Sequence, residues 1–346
     1  MARILYGVAG EGSGHSSRAK VIIEYLISKG HKVKVISYGK GYKNLNPYFD
    51  VEKIFGLHFT YKNNEIKYFQ TLFNNLLKTD KARESIDKVL KITDYFNPQI
   101  VFSDFEPISC IVANIKKLPL ISIDNQHRIN NTKIEYPSKY KQSYLIAKAV
   151  TDLMVFNSEA CLVTSFFKAP VTNKKTYIFP PILRKEIYKL RPKIEDYILV
   201  YFTSEFENIV EILKKINMRF VVYGFNKNKE SNNLIFKKSS QEGFLRDLAN
   251  CHGVIANAGF TLITEALYLK KPYLALPVKG QFEQVLNAYY LEKLGYGKYW
   301  DELNKERIES FLFNLEIYQK NLRKYKKEDN KKIFKMINKL IMRYSK

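Results

Sequence analysis

Short apolar runs alternate with amphipathic segments along the first half of the chain. The runs are rich in β-branched and aromatic residues, which is typical of buried strands. They predict strands at Arg3–Ala9, Lys32–Tyr38, Val51–Phe55, Gln99–Ser103, Leu120–Ile123, Leu153–Phe156 and Tyr177–Phe179. Between them, apolar positions recur with helical spacing at Arg18–Lys29, Tyr68–Phe96, Ile108–Lys116 and Tyr140–Ala149. This alternation predicts an α/β fold in which a parallel sheet is covered by helices on both faces.

The alternation stops at Pro180-Pro181 and resumes in the second half of the chain. The charged stretch after the two prolines has little apolar periodicity and is typical of a linker. Beyond it we expect strands at Tyr197–Phe202, Arg219–Tyr223, His252–Ala256 and Pro272–Leu276, with helices at Phe206–Ile216, Phe244–Ala249, Thr261–Leu269 and Gln284–Leu294. The sequence therefore predicts a Rossmann-like domain over residues 1–182, a linker over 183–196 and a second Rossmann-like domain over 197–325.

The composition is that of a globular protein. A chain of 346 residues, 46% of them hydrophobic, can bury a large core and is long enough for two domains. Cys110, Cys161 and Cys251 lie in apolar stretches without a Cys-x-x-Cys pairing, so we expect neither a disulfide framework nor a zinc site. The apolar start of the chain is too short for a signal sequence, and no apolar run approaches the ~18 residues that span a bilayer.

The segment from Gly253 to Ala288 carries the clearest functional signal. An apolar strand runs into the small-residue turn Asn257-Ala258-Gly259, and a helix that carries Glu265 begins directly after it. Such a turn presents free backbone N–H groups and the positive end of a helix dipole to a phosphate. A second strand then leads through a polar loop to another helix start at Glu283-Gln284. Two adjacent strand ends are thus expected to direct polar groups into one crevice.

At these residues the chain resembles the nucleotide-sugar half of GT-B glycosyltransferases, in particular the group that adds N-acetylglucosamine to the lipid precursor of peptidoglycan. In that group a strand–Gly–Thr–helix–Glu-Ala block holds the pyrophosphate and the ribose, and a Pro…Asp-Gln-x-x-Asn-Ala block holds the sugar. The second block has Glu283 here where Asp is usual. The resemblance implies two Rossmann-like domains that face each other across a cleft.

The resemblance also implies a role for each donor-side residue. Gly259, Phe260 and Thr261 would hold the diphosphate, and Glu265 would accept hydrogen bonds from the ribose hydroxyls. Glu283 and Gln284 would contact the sugar, with Asn287 supporting their loop. Phe244 lies in the stretch that covers the base in such enzymes, and it either contacts uracil or belongs to the core. Tyr223, after the second strand of this domain, is another candidate wall of the base pocket.

A glycine-rich turn, Gly10-Glu11-Gly12-Ser13-Gly14-His15, follows the first strand. A dinucleotide fingerprint would need its third glycine at position 15 and an acid after the second strand, and the chain has neither. By the resemblance, this loop faces the acceptor. Gly12, Ser13 and Gly14 would then bind a phosphate of the acceptor or close onto the donor diphosphate, and His15 would act as the base. The alternative is that His15 only caps its helix.

Polar residues also follow two further strands of the N-terminal domain. Asp104 and Glu106 come after one strand, and Asp124, His127 and Arg128 come after the next. Open α/β sheets place ligand-binding groups at such carboxyl ends. The base is then His15 or Asp104, and the orienting carboxylate is Asp104, Glu106 or Asp124. Arg128 would hold an anionic acceptor.

Three stretches make the chain similar to a further, little-characterised GT-B group: the Gly-x-Gly-x-Gly-His loop, Ser103–Pro107 and Asp124–His127. This resemblance implies a UDP-sugar donor and inversion at the anomeric carbon, and leaves the acceptor open; we expect a lipid-linked or cell-envelope hydroxyl. A helix N-terminus can stabilise the leaving diphosphate without a metal. The chain has no Asp-x-Asp pattern, and Asp104-Phe105-Glu106 is the nearest to it. We therefore expect no metal and no cofactor.

Two other functions remain open at this point. Non-hydrolysing UDP-N-acetylglucosamine 2-epimerases share the fold, but their sites should contain more acids and basic phosphate ligands than the C-terminal half offers. The other alternative is a non-catalytic basic protein that binds anionic membrane or nucleic acid. No recognition helix, RNP motif or aromatic-basic repeat supports nucleic acid as a partner.

The net charge of +23 fits either an anionic partner or a basic drift in composition. Eleven basic residues lie in Lys320–Lys346, and the apolar positions there form one helical stripe: Ile333, Phe334, Ile337, Leu340 and Ile341. Such a helix binds a membrane surface or packs on its own protein, and the resemblance favours packing of residues 326–346 on the N-terminal domain. We expect a cytoplasmic protein, at most in peripheral contact with anionic lipid at the inner face of the cytoplasmic membrane.

Overall fold

The computed structural model describes residues 1–56, 61–62, 65–66, 80–202 and 207–345. The chain forms two compact units, which we call the first unit (Met1–Arg184 with Asp329–Lys346) and the second unit (Lys185–Glu328). The boundary therefore falls near the start of the expected linker, whose first residues form a short helix at Lys185–Lys189. Of the helix expected at Tyr68–Phe96, the part before Asp80 lies outside the described residues.

The first unit contains a parallel sheet of seven strands. In chain order these are β1 (Arg3–Val8), β2 (Lys32–Ser37), β3 (Val51–Lys53), β6 (Ile100–Asp104), β7 (Leu120–Asp124), β8 (Ala160–Thr164) and β9 (Thr176–Phe179), while β4 (Tyr61–Lys62) and β5 (Glu65–Ile66) form a separate antiparallel pair. Its helices are α1 (Gly14–Ser28), α2 (Gly39–Leu45), α3 (Asp80–Phe96), α4 (Pro107–Ile115), α5 (Arg128–Asn131), α6 (Lys141–Met154) and α14 (Lys331–Tyr344). The strand order is β3-β2-β1-β6-β7-β8-β9.

Helices cover both faces of this sheet, as the continuous apolar strands require. Alternate residues of β1 point to opposite faces, so Tyr6 packs in a core with α1 and α14, whereas Leu5 packs in a core with α3 and α4. In α14 the apolar stripe is buried: Ile333, Ile337, Leu340 and Ile341 are at most 5% exposed. Phe334 stacks on Tyr25 of α1 at 3.9 Å between ring centroids. The apolar side of this basic helix is thus buried against the rest of the first unit.

The strand expected at Leu153–Phe156 is wrong. Helix α6 continues to Met154, and the strand between β7 and β9 is Ala160–Thr164. Leu153 and Phe156 are 37% and 38% exposed, whereas every residue of β8 is buried. Both stretches are short apolar runs, and periodicity alone does not distinguish a helix end from a strand in such a run.

The second unit contains another sheet of seven strands. They are β10 (Ile198–Tyr201), β11 (Phe220–Tyr223), β12 (Lys229–Ser231), β13 (Leu234–Phe236), β14 (Gly253–Asn257), β15 (Tyr273–Leu276) and β16 (Gly297–Tyr299). The helices are α7 (Lys185–Lys189), α8 (Glu207–Leu213), α9 (Gln241–Asn250), α10 (Phe260–Tyr268), α11 (Phe282–Lys293), α12 (Lys305–Phe313) and α13 (Leu315–Leu322). The order is β12-β13-β11-β10-β14-β15-β16, with only β12 antiparallel to its neighbour. The short strands β12, β13 and β16 were not expected from the sequence.

Both sheets have a topological switch point. In the first unit β1 lies between β2 and β6, and in the second β10 lies between β11 and β14. The chain therefore winds outward in both directions from β1 and from β10, and the loops at the carboxyl ends of β1 and β6, or of β10 and β14, diverge to leave a crevice. The α/β fold class is confirmed. Across residues 1–56, 80–202 and 207–345, no helix has both the length and the apolar character needed to cross a bilayer.

Candidate functional site

The turn between β14 and α10 leaves the N-terminus of a helix open. Gly259 is the N-cap of α10, with ordinary backbone angles of φ −68° and ψ 132°. A Cβ atom built on Gly259 would meet no atom of the described residues within 4 Å. The first turn of α10 contains no acidic side chain. The described residues therefore leave space beside Gly259, at the positive end of the α10 dipole, where an anion can bind.

Three side chains hold this turn in place. The amide of Asn287, fully buried on α11, donates to the carbonyl of Ala258 at 2.9 Å. The hydroxyl of Tyr273 donates to the carbonyl of Asn257 at 2.6 Å, and the Asn257 amide donates to the carbonyl of Leu276 at 3.2 Å. Asn287 is thus placed to support the turn. Tyr273 was not singled out from the sequence, because its position inside a strand gives no sign of its long-range partner.

The other donor-side candidates surround the same strand ends. Glu265 is 1% exposed on α10, and Phe260 is 8% exposed at its start. The Gln284 side chain accepts from the backbone N–H of Val278 at 3.1 Å, which anchors the loop after β15. Glu283 is partly exposed in the first turn of α11, and Thr261 is partly exposed in the first turn of α10. These residues lie at the carboxyl edge of the sheet in the second unit.

An aromatic cluster lies at the carboxyl ends of β10 and β11. The ring of Phe244, half-buried on α9, packs edge-to-face on Tyr223 at 5.1 Å and on Tyr201 at 5.4 Å between centroids. The Tyr223 hydroxyl donates to Asp247 Oδ2 at 2.7 Å, and Lys237 Nζ lies 2.6 Å from the same oxygen. Burial, together with this hydrogen bond, raises the pKa of Tyr223, so its hydroxyl stays protonated and remains a donor.

A histidine–carboxylate pair lies at the switch point of the first unit. His15 is in the first turn of α1, and its Nδ1 lies 2.6 Å from Oδ1 of Asp104, the last residue of β6. Asp104 is fully buried, whereas the His15 side chain is 15% exposed. Because an ionised carboxylate only accepts hydrogen bonds, this contact is a hydrogen bond when Nδ1 carries the proton. Arg18 Nη2 lies 3.2 Å from the same Nδ1. A neutral imidazole with its proton on Nδ1 has its lone pair on Nε2, the atom that a general base uses.

Arg18 completes this cluster. Its Nε donates to Asp104 Oδ2 at 2.8 Å, and its Nη2 donates to Oδ1 at 2.5 Å. Its Nη1 donates to the side-chain oxygen of Asn125, after β7, at 2.7 Å. Gln126 Nε2 lies 3.5 Å from His15 Nε2. Burial of the guanidinium opposes its charge, but Asp104 outweighs burial and raises the pKa of Arg18. The sequence reasoning missed Arg18, although its position three residues after His15 places both on one side of α1.

Glu106 has a different environment from Asp104. It is the N-cap of α4, and its two carboxylate oxygens accept from the backbone N–H groups of Ile108 at 2.9 Å and Ser109 at 2.6 Å. Burial raises the pKa of Glu106. Phe105, between the two acids, has a left-handed φ of 56°, and this turn sends the two carboxylates to separate partners. The geometry assigns Glu106 to the start of a helix, and its catalytic role stays a prediction.

The loop after β7 contains a second, buried histidine–carboxylate pair. Asp124 accepts from the backbone N–H of His127 at 2.9 Å, and its other oxygen lies 2.7 Å from His127 Nδ1. Burial opposes the charges of both, but their mutual attraction outweighs it; the pKa of Asp124 is lowered and that of His127 is raised. Arg128 is 1% exposed, with its guanidinium 5.3 Å from the Phe167 ring. The buried Asp124–His127 pair thus supports the loop that carries Asn125 and Gln126.

Asp124→Asn should destabilise the protein in a pH-dependent way. The stabilisation from His127 is fully present below its unfolded pKa, about 6.5, and is lost as the pH rises through its raised folded pKa. That from Asp124 is present above about pH 3.9 and is lost as the pH falls toward its lowered folded pKa. Urea unfolding should therefore show a loss of about 3 kcal/mol at pH 5.5 and a smaller loss at pH 9.

The control for this measurement is Asp94→Asn. Asp94 is an exposed carboxylate paired with Lys116, so its removal should change the unfolding free energy little at either pH. An equal loss at pH 5.5 and pH 9 for Asp124→Asn would show that the His127 pair is not charged in the folded protein.

The glycine-rich loop lies beside the His15 cluster. Gly12 is exposed with a left-handed φ of 70°, and Ser13 is the N-cap of α1. The carboxyl ends of β1, β6 and β7 thus bring together His15, Arg18, Asp104, Asn125 and Gln126. Within the described part of the chain, no group of three His, Cys, Asp or Glu side chains is placed to hold a metal ion.

Residues 2–316 match the family model described as glycosyl transferase family 1. The match spans most of the chain and includes the carboxyl ends of both sheets. The chain belongs to this family. Glycosyl transfer is thus the activity class of the protein, which decides against the epimerase and the non-catalytic alternatives.

Individual relatives agree with this assignment. The glycosyl transferase is 26% identical over 343 residues to an uncharacterized glycosyltransferase of Methanosarcina acetivorans, covering 86% of this chain and 85% of the relative. It is 33% identical over 97 residues, 25% of this chain and 27% of the relative, to the UDP-N-acetylglucosamine-N-acetylmuramyl-(pentapeptide) pyrophosphoryl-undecaprenol N-acetylglucosamine transferase 3 of Bacillus cereus. The crystal structure of the glycotransferase of kitacinnamycin matches with a TM-score of 0.71 at 14% identity, covering 98% of each chain. That likeness shows the GT-B fold, as the sequence predicted.

Proposed function

We propose that this glycosyltransferase moves a sugar from a UDP-sugar to a hydroxyl of a lipid-linked or other cell-envelope acceptor, with inversion and without a metal. The observation that carries the proposal is the open N-terminus of α10 at Gly259, at the switch point of the second unit and with Glu265 buried on the same helix. The printed name of the Bacillus cereus relative supports a UDP-linked donor and a polyprenyl-linked acceptor.

The second unit is proposed to bind the donor. The N–H groups at the start of α10 would accept the diphosphate, whose charge grows as the bond to the sugar breaks. Glu265 would bind the ribose hydroxyls, and Glu283 and Gln284 would bind the sugar. The aromatic cluster of Phe244 and Tyr223 would pack against the base. Because the helix end and its dipole stabilise the leaving group, the mechanism needs no metal to do so.

The first unit is proposed to supply the base. His15 Nε2 takes the proton of the acceptor hydroxyl as that oxygen bonds to the anomeric carbon, and UDP leaves with the electron pair of the broken carbon–oxygen bond. A single displacement from the face opposite the leaving group inverts the anomeric centre. Asp104 stabilises the imidazolium that forms. The loop of Gly12, Ser13 and Gly14 would hold an anionic part of the acceptor.

A lipid-linked acceptor would place the protein in the cytoplasm at the inner face of the membrane. The contact would then be peripheral. It would not depend on insertion of α14, because Ile333, Ile337, Leu340 and Ile341 are buried within the first unit. The exposed lysines of α14, such as Lys335 and Lys339, remain on its outer side, where they would attract anionic headgroups.

Nucleotide binding tests the donor assignment directly. UDP at about 100 times its Kd should stabilise the protein by about 2.7 kcal/mol and raise Tm by several degrees. Glu265→Gln keeps the shape of the side chain but removes a charged acceptor, and should weaken UDP binding by about 10- to 100-fold. Thermal unfolding measures the Tm change, and isothermal titration calorimetry measures the UDP affinity of both proteins.

The matched control is Glu309→Gln, which changes an exposed glutamate on α12. It should bind UDP as the unmodified protein does. Absence of any Tm change at millimolar UDP would remove the UDP-sugar assignment, and equal UDP affinity in Glu265→Gln would remove the ribose-binding role of Glu265.

A further inference from the structure

The guanidinium of Arg18 joins three strand ends of the first unit. Two of its nitrogens hold both oxygens of Asp104 at 2.8 and 2.5 Å, and a third holds Asn125 at 2.7 Å. Arg18 is 5% exposed, Asp104 is fully buried and Asn125 is 3% exposed. Side-on contact of Nε and Nη2 with one carboxylate fixes the plane of that carboxylate as well as its charge.

The orientation of Asp104 matters because His15 depends on it. Asp104 Oδ1 receives both Arg18 Nη2 at 2.5 Å and His15 Nδ1 at 2.6 Å. If the carboxylate rotates, the Nδ1–H bond lengthens and the proton is free to occupy Nε2 instead. The imidazole would then present N–H, not a lone pair, to an acceptor hydroxyl. Without the cation, the desolvation cost of the buried carboxylate would also be left largely uncompensated.

Asn125 extends the contact to the neighbouring strand. It follows Asp124 at the end of β7 and receives Arg18 Nη1 through its side-chain oxygen. The Asp124–His127 pair supports this loop, because Asp124 accepts a hydrogen bond from the His127 backbone N–H at 2.9 Å. The loop therefore holds Arg18 through Nη1, the guanidinium nitrogen that does not contact Asp104.

We propose that Arg18 is a positioning residue of the transferase: held by Asn125, it orients Asp104 and thereby keeps the His15 proton on Nδ1 and the lone pair on Nε2. Arg18 acts through Asp104, and its effect is on the tautomer of the base. This inference rests on the proposed role of His15 as base.

The tautomer can be observed without substrate. The chain has five histidines, so ¹⁵N-histidine labelling gives few signals, and a His15→Gln sample identifies those of His15. We expect a protonated Nδ1 and an unprotonated Nε2 in the neutral imidazole of the unmodified protein. In Arg18→Gln the Nε2–H tautomer should gain population. An unchanged tautomer in folded Arg18→Gln would overturn the proposal.

Kinetics provide the second measurement. Arg18→Gln should lower kcat by about tenfold or more. Its KM for the donor should stay within about twofold of that of the unmodified protein. Arg18→Lys should recover part of the loss in kcat. Arg83→Gln, on the exposed side of α3, is the matched control and should keep both constants. A fall in kcat accompanied by an equal rise in donor KM would indicate a general structural defect and contradict the proposal.

Asn125→Ala provides a milder variant if Arg18→Gln does not fold. It removes one acceptor and leaves the ion pair, so kcat should fall by about threefold or more at unchanged donor KM. Unmodified kcat and tautomer in both Asn125→Ala and Arg18→Lys would overturn the proposal. If UDP does not bind, the proposed function fails. The tautomer measurement still tests whether Arg18 keeps the His15 proton on Nδ1.

Discussion

His15→Gln should lower kcat by about 10²- to 10⁴-fold while UDP binds as before. Glutamine is close in size and polar, but it does not accept a proton at neutral pH. The loss should therefore fall on the step in which the acceptor hydroxyl is deprotonated. UDP affinity should not change, because the residues proposed to hold the nucleotide all lie in the second unit, on β11, on α9 and at α10. Steady-state kinetics with the UDP-sugar and calorimetry with UDP measure the two effects separately.

His31→Gln is the control for this substitution. His31 lies at the amino end of β2, where its Nδ1 accepts from the backbone N–H of Ala2 at 3.1 Å. It is thus on the edge of the sheet opposite to His15, and its substitution should leave kcat close to that of the unmodified enzyme. Full turnover in His15→Gln would exclude His15 as the base, and the role would then have to be tested at Asp104.

Gly259→Val should reduce UDP affinity by at least about 100-fold and leave the fold intact. The backbone at Gly259 has φ −68°, which any residue adopts, and its Cβ would meet no described atom within 4 Å. The valine methyl groups would instead occupy the space in front of the first N–H groups of α10. A diphosphate cannot approach those groups within hydrogen-bond distance past a branched side chain. Calorimetry with UDP measures the loss.

Two comparisons separate blocked binding from loss of structure. Gly259→Ala adds a single methyl group, so its loss of affinity should be intermediate. Thermal unfolding of the valine variant without ligand should show a destabilisation of no more than about 1 kcal/mol, the range of N-cap preferences. Unchanged UDP affinity in Gly259→Val would place the diphosphate elsewhere and remove the main observation behind the proposed function.

The residues proposed to bind the donor were predicted from the sequence because they are close together along the chain. Gly259, Glu265 and Asn287 all lie within one strand–helix–strand–helix stretch, and the turn and helix positions follow from local composition. The structure adds the bond from Asn287 to Ala258 and the Tyr273 contact that holds Asn257. Short strands such as β13 and β16 were missed, since three residues are too few to show a period of two.

For the proposed acceptor side, the sequence predicted only a set of polar strand ends. From the sequence, Asp104 and Glu106 were equivalent acids two residues apart. The left-handed Phe105 between them directs Asp104 to His15 and Arg18, and Glu106 to the start of α4. A positive φ at phenylalanine is held by its surroundings and has no sequence signature of its own. Arg18 was missed for a related reason, since a basic residue in a first helix usually faces solvent.

The sequence by itself determined the two α/β units, the turn at Gly259 that begins a helix, and the set of strand ends that carry polar groups. These features depend on periodicity and on residues that are neighbours along the chain. Only the tertiary structure decided which of those groups meet. Arg18 reaches Asp104 and Asn125 across separations of 86 and 107 residues. Such contacts depend on the order β1-β6-β7 in the sheet, which brings three distant strand ends together at one edge, and local patterning does not encode that order.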